Sequence, residues 1–149
     1  MKIYFAGSMV GEQNYFSGMW AIVKKLREQG HDVLTGFVIG LPYMPGYPVS
    51  NAWERDIPLL QECDAIVAEV SQPSTGVGIE LGVAAVAFGK PALCLRHASL
   101  ENERLSSLIN QGPFEVAHYD ENYSGSIEAV LQNFFMGLKT EGMINRETE

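Results

Sequence analysis

From Asp64 to Val70 the chain reads Asp-Ala-Ile-Val-Ala-Glu-Val, a strand-length run that is apolar at nearly every position. That is the pattern of a strand covered on both faces. Such a strand needs helices above and below it, which restricts the fold to one where strands and helical crossovers alternate. The rest of the chain supplies the alternation. Residues 2–6 form a β-prone run closed by Gly7-Ser8, and Phe16, Met19, Trp20, Val23 and Leu26 then recur at helical spacing up to a stop at Gly30. Residues 31–35 read as a second strand, and three prolines and a glycine make residues 41–48 a loop. Trp53, Ile57 and Leu60 mark a helix between residues 50 and 63, with Pro58 in a first turn or at a kink. Beyond the central strand follow a small-residue helix over 76–88 ended by Gly89, a strand over 91–95 and a helix over 100–109. A last strand over 114–118 precedes a closing helix marked by Ile127, Val130, Leu131, Phe134 and Phe135.

These elements predict an α/β domain over residues 1–138, a five-stranded parallel sheet in the flavodoxin-like order 2-1-3-4-5 with helices on both faces. Residues 139–149 read as a polar, frayed C-terminal tail. A length of 149 residues suits one domain, and 46% hydrophobic with 19% charged residues argues against disorder or a coiled coil. In such sheets ligands bind beyond the carboxyl ends of the strands, so the loops after strands one, three and four should carry the chemistry.

Charge narrows the partners. Ten basic residues against 18 acidic ones leave a net charge of -8 with no basic cluster, which disfavours a polynucleotide. One small phosphate is still compatible, because backbone N–H groups at a helix N-terminus hold an anion locally. Glu80 and Lys90 interrupt the longest apolar stretch, residues 79–95, so no membrane span is expected. The apolar start is too short for a signal peptide, which points to the cytoplasm. Cys63 and Cys94 have no CxxC spacing and read as buried free thiols. His31, His97 and His118 show no metal-ligand spacing, so no metal is expected.

The stretch Ser71-Gln72-Pro73-Ser74-Thr75-Gly76-Val77-Gly78-Ile79-Glu80-Leu81-Gly82 leaves the central strand and enters a helix. Gly76 and Gly78 permit close approach of a ligand to the backbone, Ser74 and Thr75 add hydroxyls, and the first-turn N–H groups make an anion site. A dinucleotide fingerprint does not fit, because the third glycine is one residue late and Glu80 would oppose a pyrophosphate. A carboxylate beside an anion site suits attack on the anomeric carbon of a sugar whose far end the anion site holds. The alternative for Glu80 is a favourable charge on a helix N-terminus. Asp56 flanks the apolar stripe of its helix and is either a second site carboxylate or an N-cap ahead of Ile57 and Pro58. Tyr4, on the first strand, can hydrogen-bond a carboxylate at the switch point or be an ordinary strand tyrosine.

Taken with Tyr4-Phe5-Ala6-Gly7-Ser8, the stretch from Asp64 to Gly82 resembles the nucleoside 2-deoxyribosyltransferase family, closest to its 2'-deoxynucleoside 5'-monophosphate N-glycosidase branch. The resemblance runs from Tyr4 to Phe135. It implies that Glu80 is the nucleophile, that Asp56 aids protonation of the departing base and that Tyr4 orients Glu80. It also implies that Ser74, the Gly76 and Gly78 backbone and the Gly7-Ser8 turn hold the 5'-phosphate. Ser106 matches a serine that the family supplies from a neighbouring subunit, so a homodimer is implied, with no cofactor. Ser74 can donate to a phosphate where the nucleoside-using transferases tend to carry an acidic residue. Two positions depart from the branch: Val10 stands where it has an arginine and Phe37 where it has a histidine. Base recognition by Tyr43, Met44, Tyr47 or Trp53 is a further expectation. Three functions follow: hydrolysis of deoxynucleoside monophosphates, transfer of deoxyribose between bases with the same two carboxylates, or nucleotide binding without turnover.

Overall fold

The computed structural model describes residues 1–8, 15–35 and 51–147. The strands are β1 (Lys2–Ala6), β2 (Asp32–Val33), β3 (Ala65–Glu69), β4 (Ala92–His97) and β5 (Glu115–Tyr119), and the helices are α1 (Phe16–Glu28), α2 (Ala52–Glu62), α3 (Thr75–Gly82), α4 (Ser107–Asn110) and α5 (Ser126–Glu147). All ladders are parallel and the order is β2-β1-β3-β4-β5, as the alternating pattern predicts. The central β3 is buried at every position.

Side chains alternate across the sheet with period two and build two cores. Ile3, Phe5, Val67, Leu93 and Leu95 face α1 and α5, where they meet Ile22, Leu26, Leu131 and Phe134. Tyr4, Ala6, Ile66, Ala68 and Cys94 face the other way, toward Leu60 of α2 and Val77 and Leu81 of α3. Both cysteines are free and buried, and burial pushes the Cys94 thiol up to about 12. No helix among the described residues is long and apolar enough to cross a membrane.

Four local departures from the sequence expectation have physical causes. Strand β2 is two residues long rather than five, because the Thr35 hydroxyl takes over the edge: Oγ1 accepts from Phe5 N at 2.8 Å and donates to Phe5 O at 2.6 Å. Helix α2 starts earlier than an Asp56 cap would allow. Its cap is Asn51, whose side chain accepts from Glu54 N at 3.2 Å, so Pro58 lies in the helix interior and Asp56 is not an N-cap. The helix expected over 100–109 shrinks to a 3-10 turn (Ala98–Leu100) and the short α4, because Arg96 Nη1 draws the Glu103 carbonyl inward at 2.8 Å and removes it from a helical ladder. Helix α5 continues through Glu147, so the backbone of residues 139–147 of the expected tail is helical.

Helix α3 passes into a π-helical turn (Val83–Ala87), with Phe88 N bonding Val83 O at 3.1 Å. Gly89 then ends it at φ +62°, a left-handed conformation that favours glycine. Leu93, fully buried between β3 and β5, should lose ~2–5 kcal/mol of stability on truncation to alanine, whereas Tyr123→Ala, 75% exposed, should stay within about 0.5 kcal/mol. Urea unfolding of the two variants beside the parent checks the contrast.

Candidate active site

The β1–β3 register sets Tyr4 opposite Ile66 and Ala6 opposite Ala68, which brings the loops after both strands to one end of the sheet. Tyr4 lies on the α2/α3 face and is 2% exposed. Its hydroxyl donates to Glu80 Oε1 at 2.7 Å, a bond between residues 76 positions apart. Burial, together with the negative charge of Glu80, raises the Tyr4 phenol far above its ordinary range, so Tyr4 is a fixed donor.

Glu80 sits in the second turn of α3 and is half-buried. Desolvation is the main influence on it and raises its pKa; the Tyr4 bond lowers it, nearby Asp56 raises it and nearby Arg55 lowers it, with a net rise. Asp56 projects from α2 into the same region. Arg55 grips it in both directions, Nε to Oδ1 at 2.6 Å and Nη2 to Oδ2 at 2.8 Å, and the pair is largely buried. Tyr4, Glu80 and Asp56 thus come together as expected, and Arg55 joins them unannounced. Its sequence position gave no signal, since adjacent residues on a helix point about 100° apart and only the long guanidinium stem lets Arg55 fold back onto its neighbour.

The residues expected to hold an anion are placed less uniformly. Ser74 caps α3, accepting from Val77 N at 3.4 Å, Gly78 N takes the Ser74 carbonyl at 3.1 Å, and the Thr75 and Gly76 N–H groups lack an intrahelical carbonyl by position. Among the described residues, apart from the chain neighbours and the helix's own backbone, nothing lies within 4 Å of a Cβ built on Gly78 and only Ser74 Oγ, at 3.9 Å, meets one on Gly76, so packing against those residues demands neither glycine. Gly7 is: a Cβ there would collide with Met19 Sδ and sit 3.3 Å from Phe5. Ser8 is buried. Ser106 precedes α4, makes no capping bond and lines a cavity with Ser74 of its own chain. Trp53 is 63% exposed. Val10, Phe37, Tyr43, Met44 and Tyr47 lie outside the described residues.

A model of the family described as nucleoside 2-deoxyribosyltransferase matches residues 3–111, which include every site residue named above. The chain belongs to that family. A relative from Rattus norvegicus named 5-hydroxymethyl-dUMP N-hydrolase is 38% identical over 144 residues, covering 90% of this chain and 84% of the relative. One of the same name from Tetraodon nigroviridis is 38% identical over 149 residues, covering 93% and 100%. Among solved structures, a CMP N-glycosidase from Clostridium botulinum superposes with a TM-score of 0.57 at 21% identity, covering 82% of this chain and 93% of that one, and shares the fold.

One cluster with ligand-like atoms was not foreseen. His97, Asp120 and Glu121 each offer one within 4.8 Å of the others. Both imidazole nitrogens already have protein neighbours, Nε2 near Glu121 Oε2 at 3.1 Å and Nδ1 near Ser99 Oγ at 2.7 Å.

Because the fold raises the Glu80 pKa, the native state holds that proton more tightly than the unfolded chain does. Its ionisation therefore costs stability as pH rises past the ordinary carboxylate value of 4.5. Glu80→Gln should be more stable than the parent at pH 7, with the difference vanishing in acid below that value. Urea midpoints at the two pH values check this.

Proposed function

We propose that the chain hydrolyses the N-glycosidic bond of 2'-deoxynucleoside 5'-monophosphates, releasing free base and 2-deoxyribose 5-phosphate by way of a glycosyl ester on Glu80. The observation that carries this is the Tyr4–Glu80 hydrogen bond of 2.7 Å, set beside Asp56 at the start of a helix with an uncrowded glycine face. N-glycosidic hydrolysis of a deoxynucleoside monophosphate is also what the names of relatives at 38% identity describe.

Tyr4 engages Oε1 and leaves Oε2 of Glu80 to attack the anomeric carbon. The new C–O bond forms as the C–N bond breaks, and the bonding pair leaves with the base. Asp56 aids delivery of the proton that the base takes up. Since both Asp56 oxygens accept from Arg55, Arg55 must yield one of them when a base is bound. Water then attacks the same carbon from the face the base vacated, frees Glu80 and gives net retention. The phosphate end of the substrate is assigned to Gly7, Ser8, Ser74, Gly76 and Gly78, with Ser106 reaching across from a second copy in a homodimer. Support for that dimer is the apolar groove beside α3, where Ile79, Val86 and Leu108 are 50%, 74% and 84% exposed. The cytoplasm is the compartment proposed.

The family's name supports a second reading, transfer of deoxyribose to another base, which differs only in what enters the emptied base pocket. Chromatography of free base from the four deoxynucleoside monophosphates and their nucleosides separates the readings. Hydrolysis predicts base release from the monophosphates alone, lost by ~10³-fold or more in Glu80→Ala, as for removal of an activated nucleophile. Release only after a second base is added would assign the transferase, and silence throughout would leave nucleotide binding. The rate should climb with pH through the raised Glu80 pKa, so its acidic limb lies above 4.5. Tyr4→Phe removes the bond that lowers that pKa, so the limb should move to higher pH and the plateau rate fall about tenfold or more. A pH–rate series on both proteins reads it.

A further inference from the structure

Arg55 is the cation of the site, and the helix that carries it gives no reason for it. It is the fourth residue of α2, at the end of a first turn whose dipole disfavours positive charge. Its guanidinium meets both oxygens of the adjacent Asp56, at 2.6 and 2.8 Å, with the two side chains 25% and 14% exposed. It is also the positive charge that acts on both Glu80 and Tyr4.

That geometry bears on how the base departs. A carboxyl whose two oxygens both accept from one guanidinium is a carboxylate, with no proton to give. The C–N bond must then break with no proton already in place. Its electron pair leaves on the ring nitrogen, and negative charge arises beside two carboxylates, Asp56 and Glu80. A pyrimidine can pass that charge to the carbonyl oxygen next to its glycosidic nitrogen, where an N–H donor stabilises it. A purine has no carbonyl beside its glycosidic nitrogen.

We infer, resting on the reaction proposed above, that Arg55 is a further catalytic residue: it donates to the C2 carbonyl oxygen of a departing pyrimidine and stabilises the base as an anion. One N–H moves from Asp56 to that oxygen as charge develops on it, so the bond is strongest in the transition state. Asp56, with one oxygen released, then takes a proton from the water that opens the Glu80 ester and passes it to the ring nitrogen. The water's oxygen and its other hydrogen stay on the anomeric carbon, and Glu80 returns as a carboxylate. Pyrimidine deoxynucleoside monophosphates are therefore the favoured substrate class.

Leaving-group dependence tests it. Base release from 2'-deoxyuridine 5'-monophosphate and from its 5-fluoro derivative, whose base is the more stable anion, is followed in the parent, Arg55→Gln and Arg55→Lys, with urea midpoints taken on each. Arg55→Gln should lose ~10²-fold in kcat with uracil as leaving group and no more than about threefold with 5-fluorouracil, and Arg55→Lys, which keeps the charge, should fall between. An ion pair that only shapes the helix would slow both substrates by the same factor. That result overturns the inference, as does an Arg55→Gln as fast as the parent. A second readout needs no turnover: ultraviolet difference spectra of free 5-fluorouracil on each protein show whether the base is held as its anion. The parent should hold the anion at a pH where the base in solution is mainly neutral, and Arg55→Gln should not. A parent that shows no bound anion, or the same spectrum in both proteins, overturns the role of Arg55. Because free base is the probe, this role is read even where no monophosphate is cleaved, and its failure is distinct from failure of the proposed reaction.

Discussion

The parallel ladder joining β1, β3 and β4 is the constraint from which the rest of the molecule follows. Its register, Ile3 opposite Ala65 and Ile66 opposite Ala92, leaves the three carboxyl ends side by side. Helices α2 and α3 must therefore cover the same face, since each crossover returns to the amino end of the next strand. Tyr4, Asp56 and Glu80 come from three different elements of that face and meet only because the ladder holds the elements in step. A slip of one residue in β1 would turn Tyr4 to the opposite face and leave Glu80 without its donor.

Two glutamates show how environment separates a sealed carboxyl from an accessible one. Glu69, at the end of β3, is 1% exposed, and its Oε1 accepts from the Ser71 hydroxyl, from Ser71 N at 3.2 Å and from the Tyr119 hydroxyl at 3.1 Å. Ser71 in turn accepts from His97 N at 2.7 Å, so this carboxyl ties the ends of β3, β4 and β5 together. Gly18 serves the same clamp, because a Cβ there would strike the Tyr119 ring. Burial raises the pKa of both glutamates, but Glu69 is sealed inside the clamp, whereas Glu80 has a donor on one oxygen and stands half-open beside a second carboxylate. The accessible one is the one that can meet a carbon atom.

Arginines shape the other end of the face. Arg96 pulls a carbonyl out of what would have been a ten-residue helix over 100–109, and so holds the segment that carries Arg104 and Ser106 against the start of α3. Arg55 does something comparable within one helix, folding back on Asp56 and adding positive charge near Glu80. Each is a long side chain whose destination depends on what stands several ångströms away.

The alternation of apolar runs, the glycine stops at Gly30 and Gly89 and the continuous apolar β3 are local or periodic signals, so the sequence by itself determined the α/β class and the order of elements. It also marked Tyr4, Asp56 and Glu80 as candidates, because strand position, helix phase and a glycine-rich helix start are all readable in short windows. It misjudged β2 and the helix over 100–109, where a side chain, that of Thr35 or Arg96, competes for backbone groups. Only the tertiary structure decided that Tyr4 bonds Glu80, that Arg55 holds Asp56 and that Arg96 is buried with no counter-charge among the described residues. Those are facts of distance and desolvation between residues far apart in the chain or pointing apart on a helix, and neither quantity is written in composition or spacing.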